Sequence, residues 1–510
     1  MKNKEKILYA LLAVAIIARV FVLAQMPEFG FNDSLYHLKL IQNLVQTGRF
    51  EAIGGIPLPP PAYHYLSAGF FTITGLPVEM PWVKILPIIL SILEIALAFA
   101  LLKKIFPNKY LLGLVFVVSS AWLTIFSSVN YPDMLASVCV LAGVYALFEI
   151  FRGKKHWWII PLTASTSVLM FSKANGFLIA PVFVVAVGCA VLKECLAVKK
   201  IGKKQLVGVL LFLSLLFIAL HAAQFAFVMS AEDITESPNA LGFPKALDKV
   251  AWLAKAALNS GIDFWGFPFE AVNAALEKTG LINLELLIKA IIVVVLLPLY
   301  LVLLKGLKKM INAKNIFYLI IVAVMAVNFL INLASFYTSG TIYTRYFLPS
   351  LALLAIPLTL GFENLESDLL KKAFLASFAL MVLASAVYGI YLANHNNETF
   401  RKHEGLYDFL DTLPQDSKLI GNQQGRQVNF YTGLECCLLS TYDPKAEIYN
   451  IQNGSEVKEL LVNNGCTHIA LTCYKNPWSK DLIERFAREG FFKKVFEDDC
   501  GTVYEVGVIE

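Results

Sequence analysis

The chain has 510 residues, of which 57% are hydrophobic and only 16% charged. That balance excludes a soluble globular protein of this length and implies a polytopic membrane protein. The formal net charge of +5 is small, and no basic stripe interleaved with aromatics is present, so nucleic acid is not an expected partner.

Candidate spans, in chain order, are 7–25, 82–102, 111–128, 133–151, 157–172, 177–192, 206–228, 285–304, 316–337, 346–361 and 373–393, about eleven crossings. The first follows Lys2, Lys4 and Lys6 and lacks a small-residue cleavage site, so it reads as an uncleaved span. Basic residues fall on one side of this alternation. They are Lys103, Lys104 and Lys109, then Arg152, Lys154 and Lys155, the cluster 193–204, then Lys305, Lys308, Lys309 and Lys314, and last Lys371 and Lys372. The positive-inside rule makes that side the cytoplasm, with the N-terminus in it.

Two long loops, 26–81 and 229–284, then fall on the extracytoplasmic side of a cell membrane, as does the tail. The middle of the second carries Leu247, Val250, Leu253, Ala254, Ala257 and Leu258, a pattern for a helix lying in the interface plane. The tail, 394–510, reads as a small soluble α/β domain beyond a transmembrane domain of 1–393. Its expected helices are 402–412, near 426–431, 455–462 and 479–489. Its expected strands are 417–421, 436–439, 466–472 and 503–508. Of eight cysteines, Cys139, Cys189 and Cys195 lie in or beside apolar spans. Cys436, Cys437, Cys466, Cys473 and Cys500 lie in the tail, where an oxidising space allows disulfides of unassigned connectivity.

The first loop carries the residues of greatest chemical interest. Asn32-Asp33 precedes a helix whose Leu35, Leu38, Ile41 and Val45 form an apolar face, and His37 sits one turn after Asp33. Asp33 reads equally as an N-cap and as a catalytic acid or base, and His37 as a surface residue or a substrate contact. Pro59-Pro60-Pro61 leads into Tyr63 and His64, which are interface anchors or substrate contacts. Asp133, after Pro132, is either an N-terminal helix residue or a site acid. Lys173 and Arg345 break the positive-inside pattern as single cations at the outer ends of apolar spans. Each implies either a salt bridge to Asp133 or Asp33, or a phosphate clamp. Glu94 and His221, inside spans, favour bundle partners over a proton relay.

This ordered set resembles the GT-C superfamily of membrane glycosyltransferases. Residues 31–49 resemble its acidic first loop. The Tyr63–Gly75 stretch, Tyr131-Pro132-Asp133, Ser172-Lys173 to Gly176, and Arg345-Tyr346 to Pro349 resemble landmarks of the protein O-mannosyltransferase-like and aminoarabinose-transferase-like branches. The likeness covers roughly residues 1–390 and rests on order and topology. The Asp-Glu pair usual in protein O-mannosyltransferases is Asp33-Ser34 here. The oligosaccharyltransferase catalytic subunit is a more distant likeness, because its Trp-Trp-Asp-Tyr-Gly motif is missing from the tail and Trp157-Trp158 falls on the cytoplasmic side.

The resemblance implies an inverting glycosyltransferase moving a hexosyl or pentosyl group from a polyprenyl-phosphate donor to a lipid, glycan or protein acceptor. Asp33 would be the base. Lys173, Arg345 and Tyr346 would hold the phosphate, with His37, Tyr63, His64 and Asp133 at the substrate. Asp33 and Asp133 are also the expected ligands if a magnesium or manganese ion is used. The rival readings are oligosaccharyltransferase-like transfer to protein, a transporter or lipid flippase, and a noncatalytic scaffold.

Overall fold

The computed structural model describes residues 2–27, 32–51, 58–152, 158–173, 178–186, 282–339, 347–421, 432–438, 453–472 and 480–507, with a few single positions between them. The chain divides into two compact units. The first is Met1–Ala24 with Pro57–Tyr391, and the second is Gln25–Ile56 with Leu392–Glu510.

The helices are α1 (Lys2–Gln25), α2 (Asn32–Thr47), α3 (Ala62–Thr74), α4 (Ile85–Ile105), α5 (Leu111–Ser119), α6 (Ala121–Phe126), α7 (Pro132–Phe151) and α8 (Ile159–Ser172). There follow α9 (Glu285–Asn312), α10 (Ile316–Ser339), α11 (Leu348–Leu351), α12 (Ala355–Glu363), α13 (Asp368–Asp411), α14 (Gly454–Asn463) and α15 (Lys480–Arg488). Among the described residues five helical stretches are long and apolar enough to cross a membrane: Lys4–Gln25, Trp82–Ile105, Pro132–Phe151, Glu285–Asn312 and Asp368–Asp411. Shorter apolar helices cover 159–172, 316–331 and 348–363. The span expected at 206–228 with His221, the amphipathic stretch around 247–258, the helix near 426–431 and most of 177–192 lie outside the described residues.

The segment expected as one span over 111–128 is broken. Ser120 is extended, with ψ 117°, and its hydroxyl accepts from Leu123 N to start α6 anew. A helix end leaves its last carbonyls without intrahelical partners, and the Val117 carbonyl is taken up by a side chain of α1.

Close helix crossings explain two glycines. A Cβ on Gly306 of α9 would run into the Pro357 carbonyl of α12, and one on Gly361 into the Val302 carbonyl of α9. Small residues let two backbones approach where apolar burial gives no driving force in lipid. At the lysine-rich helix ends, Lys104 pairs with Glu149 and sits 4.7 Å from the Tyr145 ring, and Lys109 pairs with Glu363.

In the second unit, β1 (Lys418–Gly421), β2 (Glu435–Leu438), β3 (His468–Thr472), β4 (Lys493–Glu497) and β5 (Gly501–Glu505) form one sheet of order β2-β1-β3-β5-β4. β1 runs parallel to β2 and β3, while β5 is antiparallel to β3 and β4. Side chains alternate across the sheet as the strand period requires. Ile420, Ile469, Leu471 and Tyr504 pack with Val457, Leu461, Ile483 and Phe486 of α14 and α15. Leu419, Ala470 and Val503 pack on the other face with Leu406, Tyr407 and Leu410 of α13. The strand β4 has no counterpart among the sequence expectations, because Lys493 and Lys494 dilute its apolar alternation.

The expected helix 402–412 is the last part of α13, which runs unbroken from Asp368. Residues 391–404 contain neither glycine nor proline, and the helix also runs through Gly405 to end just before Leu413-Pro414. α2 folds with the tail unit. Asn397 donates to the Gln25 carbonyl at 2.8 Å, and Lys39 lies within electrostatic reach of Glu435. Its burial is wider than the single face expected: Tyr36, His37 and Leu40 are buried along with Leu35, Leu38 and Ile41, while Val45 is half-buried.

Candidate active site

The first unit gathers several of the anticipated residues at the turn between α6 and α7. Pro132 occupies the first helical position of α7, where its missing N–H costs nothing. Asp133 follows in the first turn, where the helix dipole favours a carboxylate. Lys173 caps the C-terminal end of α8, the end that favours a cation. Because α7 and α8 pack side by side, these two ends meet, and Lys173 forms an ion pair with Asp133, their side chains 12% and 2% exposed. Of the two readings of Lys173, the salt bridge is therefore present in this state.

α3 is bound to the same turn. The fully buried Tyr63 donates its hydroxyl to Asn130 Oδ1 at 3.0 Å. Tyr131 is buried and meets Phe126 edge-on at 5.3 Å. Thus Tyr63 is tied to the turn that leads into Asp133, the partner of Lys173. His64, next on α3, is wholly buried, and burial pushes its imidazole down to about 3, against a weaker upward pull from the Pro60 carbonyl. It is neutral at physiological pH and serves as a hydrogen-bonding or packing group, not as a cation for phosphate.

His37 belongs to the second unit and is buried, so the expectation of a surface histidine does not hold. Asp33 lies in the first turn of α2, with its side chain outside what is described. Arg345 and Tyr346 also lie outside the described residues.

Two buried cations escaped the sequence reading. Arg19, in the first span, reaches Ser91 at 2.8 Å and Glu94 at 3.3 Å through Nη2, and the Val117 carbonyl through Nη1. Ser137 of α7 donates to the other Glu94 oxygen at 2.7 Å. Glu94 thus finds the bundle partner that its position favoured. The second is Lys289 of α9, fully buried and paired with Glu285 at 2.5 Å. In each case the signal was a charge inside an apolar run.

Among the described residues no group of three His, Cys, Asp or Glu side chains could hold a metal ion. Asp133, one of the two expected ligands, is already engaged by an ammonium group.

The fold of this multi-pass helical chain is similar to that of solved membrane-protein structures. The apo structure of ArnT from Cupriavidus metallidurans superposes with a TM-score of 0.60 at 12% identity, covering 98% of this chain and 97% of that one. The same enzyme bound to undecaprenyl phosphate gives 0.58 at 12% identity, with 98% of each chain covered. The Archaeoglobus fulgidus oligosaccharyltransferase tethered with an acceptor peptide gives 0.51 at 11% identity, over 98% of this chain and 74% of that one. No protein-family model and no curated protein matches the sequence.

Proposed function

We propose that the protein is an integral-membrane inverting glycosyltransferase that moves a hexosyl or pentosyl group from a polyprenyl-phosphate donor to an acceptor on the extracytoplasmic side. The observation that carries this reading is the buried Asp133–Lys173 pair beside Tyr63 and Asn130, in a chain whose fold superposes along its whole length on an enzyme bound to undecaprenyl phosphate. Nucleotide sugars are cytoplasmic, so an outward site needs a membrane-borne donor.

In this reading Asp33 accepts the proton of the acceptor hydroxyl. The acceptor oxygen attacks the anomeric carbon as the bond to phosphate breaks, and configuration inverts. Lys173, with Arg345 and Tyr346, meets the negative charge gathering on the leaving phosphate. Asp133 holds Lys173 in place until the phosphate arrives. Tyr63 fixes the turn that carries Asp133.

The orientation has Lys103, Lys104, Lys109, Arg152, Lys305 and Lys371 in the cytoplasm, with about eleven crossings. Residues 1–393 would form the transmembrane domain and 394–510 an extracytoplasmic α/β domain. Cys466 and Cys500 each take part in a disulfide, which supports an oxidising surrounding for that tail. A transporter would need an open polar path near mid-span, whereas Arg19 and Glu94 are enclosed by serine hydroxyls and carbonyls. Oligosaccharyltransferase-like transfer to protein is the second reading, supported by the likeness to an oligosaccharyltransferase tethered with an acceptor peptide.

The test is a transfer assay on the purified full chain with a panel of polyprenyl-phosphate sugars. Asp33→Asn is expected to abolish transfer while the protein stays folded; wild-type rates in that variant refute the assignment of the base.

A further inference from the structure

The second unit holds a feature that the catalytic reading does not use. A groove of about 820 Å³ opens where the C-terminal end of α15, the Gly490–Phe492 turn, the start of β4 and the end of β5 meet α14. Four cations line it: Lys458, Arg488, Lys493 and Lys494. Two of them have local carboxylate partners, Lys493 with Glu505 at 3.7 Å and Lys494 with Glu497 at 2.7 Å. Among the described residues Lys458 and Arg488 have no ion-pair partner. They approach from different elements, so the fold and not one helix face concentrates the charge.

The rest of the lining narrows the ligand. Glu484 and Glu505 also face the groove, and Phe491 lines it, with its ring held at 90° against Phe486. An acidic peptide brings carboxylates but no hydroxyls to donate to these two glutamates. A sugar ring carrying an acid group suits all three chemistries. Its acid pairs with Lys458 and Arg488, its hydroxyls donate to Glu484 and Glu505, and its C–H face packs on the Phe491 ring.

We propose that this groove binds an acidic saccharide, one whose sugar residues bear carboxylate or phosphate groups. None of its lining residues is assigned to the transfer chemistry.

The experiment is calorimetric titration of the full-length protein in nanodiscs of neutral lipid, with oligogalacturonate as the carboxylated probe. Maltohexaose serves as the neutral control and poly-glutamate as the acidic peptide control. Saturable oligogalacturonate binding is expected, weakening as salt rises. The double substitution Lys458→Glu and Arg488→Glu should weaken it at least about tenfold, with an unchanged thermal transition, because both cations are replaced by repelling charges. Lys458→Gln and Arg488→Gln serve in its place should charge reversal disturb folding. Absence of saturable binding, equal binding in both variants, or poly-glutamate binding as tightly as oligogalacturonate overturns the proposal. Sugar transfer from the lipid-phosphate donor, measured on the same sample, reports on the catalytic reading independently.

Discussion

Two buried ion pairs in the first unit have the same ingredients and opposite surroundings. Arg19 and Glu94 are 3% and 0% exposed, and serine hydroxyls and a backbone carbonyl complete their hydrogen bonding. Lys173 and Asp133 stand at helix termini, beside a turn carrying a tyrosine and an asparagine, with the lysine more open. A guanidinium presents a rigid fork of five donors, and here it ties α1 to α4, α5 and, through Glu94, α7. An ammonium on a flexible stem can exchange one anion for another. Burial of charge alone therefore does not mark a site.

The largest expected effect breaks the first pair on one side. Arg19→Met leaves Glu94 buried without its cation and should cost about 3–5 kcal/mol, read as a lower thermal transition in detergent. Replacing both partners together, Arg19→Met with Glu94→Gln, should recover most of that loss and leave transfer intact. Next comes the second pair. Lys173→Met with Asp133→Asn removes both charges, so folding should survive. Transfer should fall about 10²–10³-fold, the usual loss for a group that stabilises developing negative charge. Equal transfer in this variant and the wild type would erase the contrast between the pairs.

A smaller effect concerns His64 on α3. Its folded-state value lies below the ordinary one, at about 3, so the unfolded chain binds more protons between that point and pH 6.5. Stability is therefore complete above pH 6.5 and declines as pH falls, by at most about 1.4 kcal/mol per unit from this group. His64→Gln should flatten that part of the stability profile. The smallest effect is Tyr63→Phe, which removes the hydrogen bond to Asn130 Oδ1 and should cost about 1 kcal/mol. A loss of transfer beyond the loss of stability would place the Tyr63 hydroxyl at the substrate itself.

Much of the architecture was legible along the chain. Apolar runs at 7–25, 82–102, 133–151 and 285–304 became helices, and the expected strands at 417–421 and 466–472 became β1 and β3. Helix and strand periods are local properties, so short windows reveal them. Asp133 and Lys173 were visible as charges at the ends of apolar segments. Their pairing was legible only as one of two options, because it depends on α7 and α8 packing side by side. Ser120 gave no local warning of a break, since serine sits in many continuous helices.

Residue order alone sets the multi-pass helical character, the ends at which the lysines gather, and the positions of the unusual charges. Packing brings Arg19 to Glu94 from 75 residues away, folds α2 with the tail, and places Lys458 and Arg488 in one groove. Composition and period are written residue by residue. Which side chains meet depends on how helices and strands pack, and that is set by shape and burial summed over the whole fold.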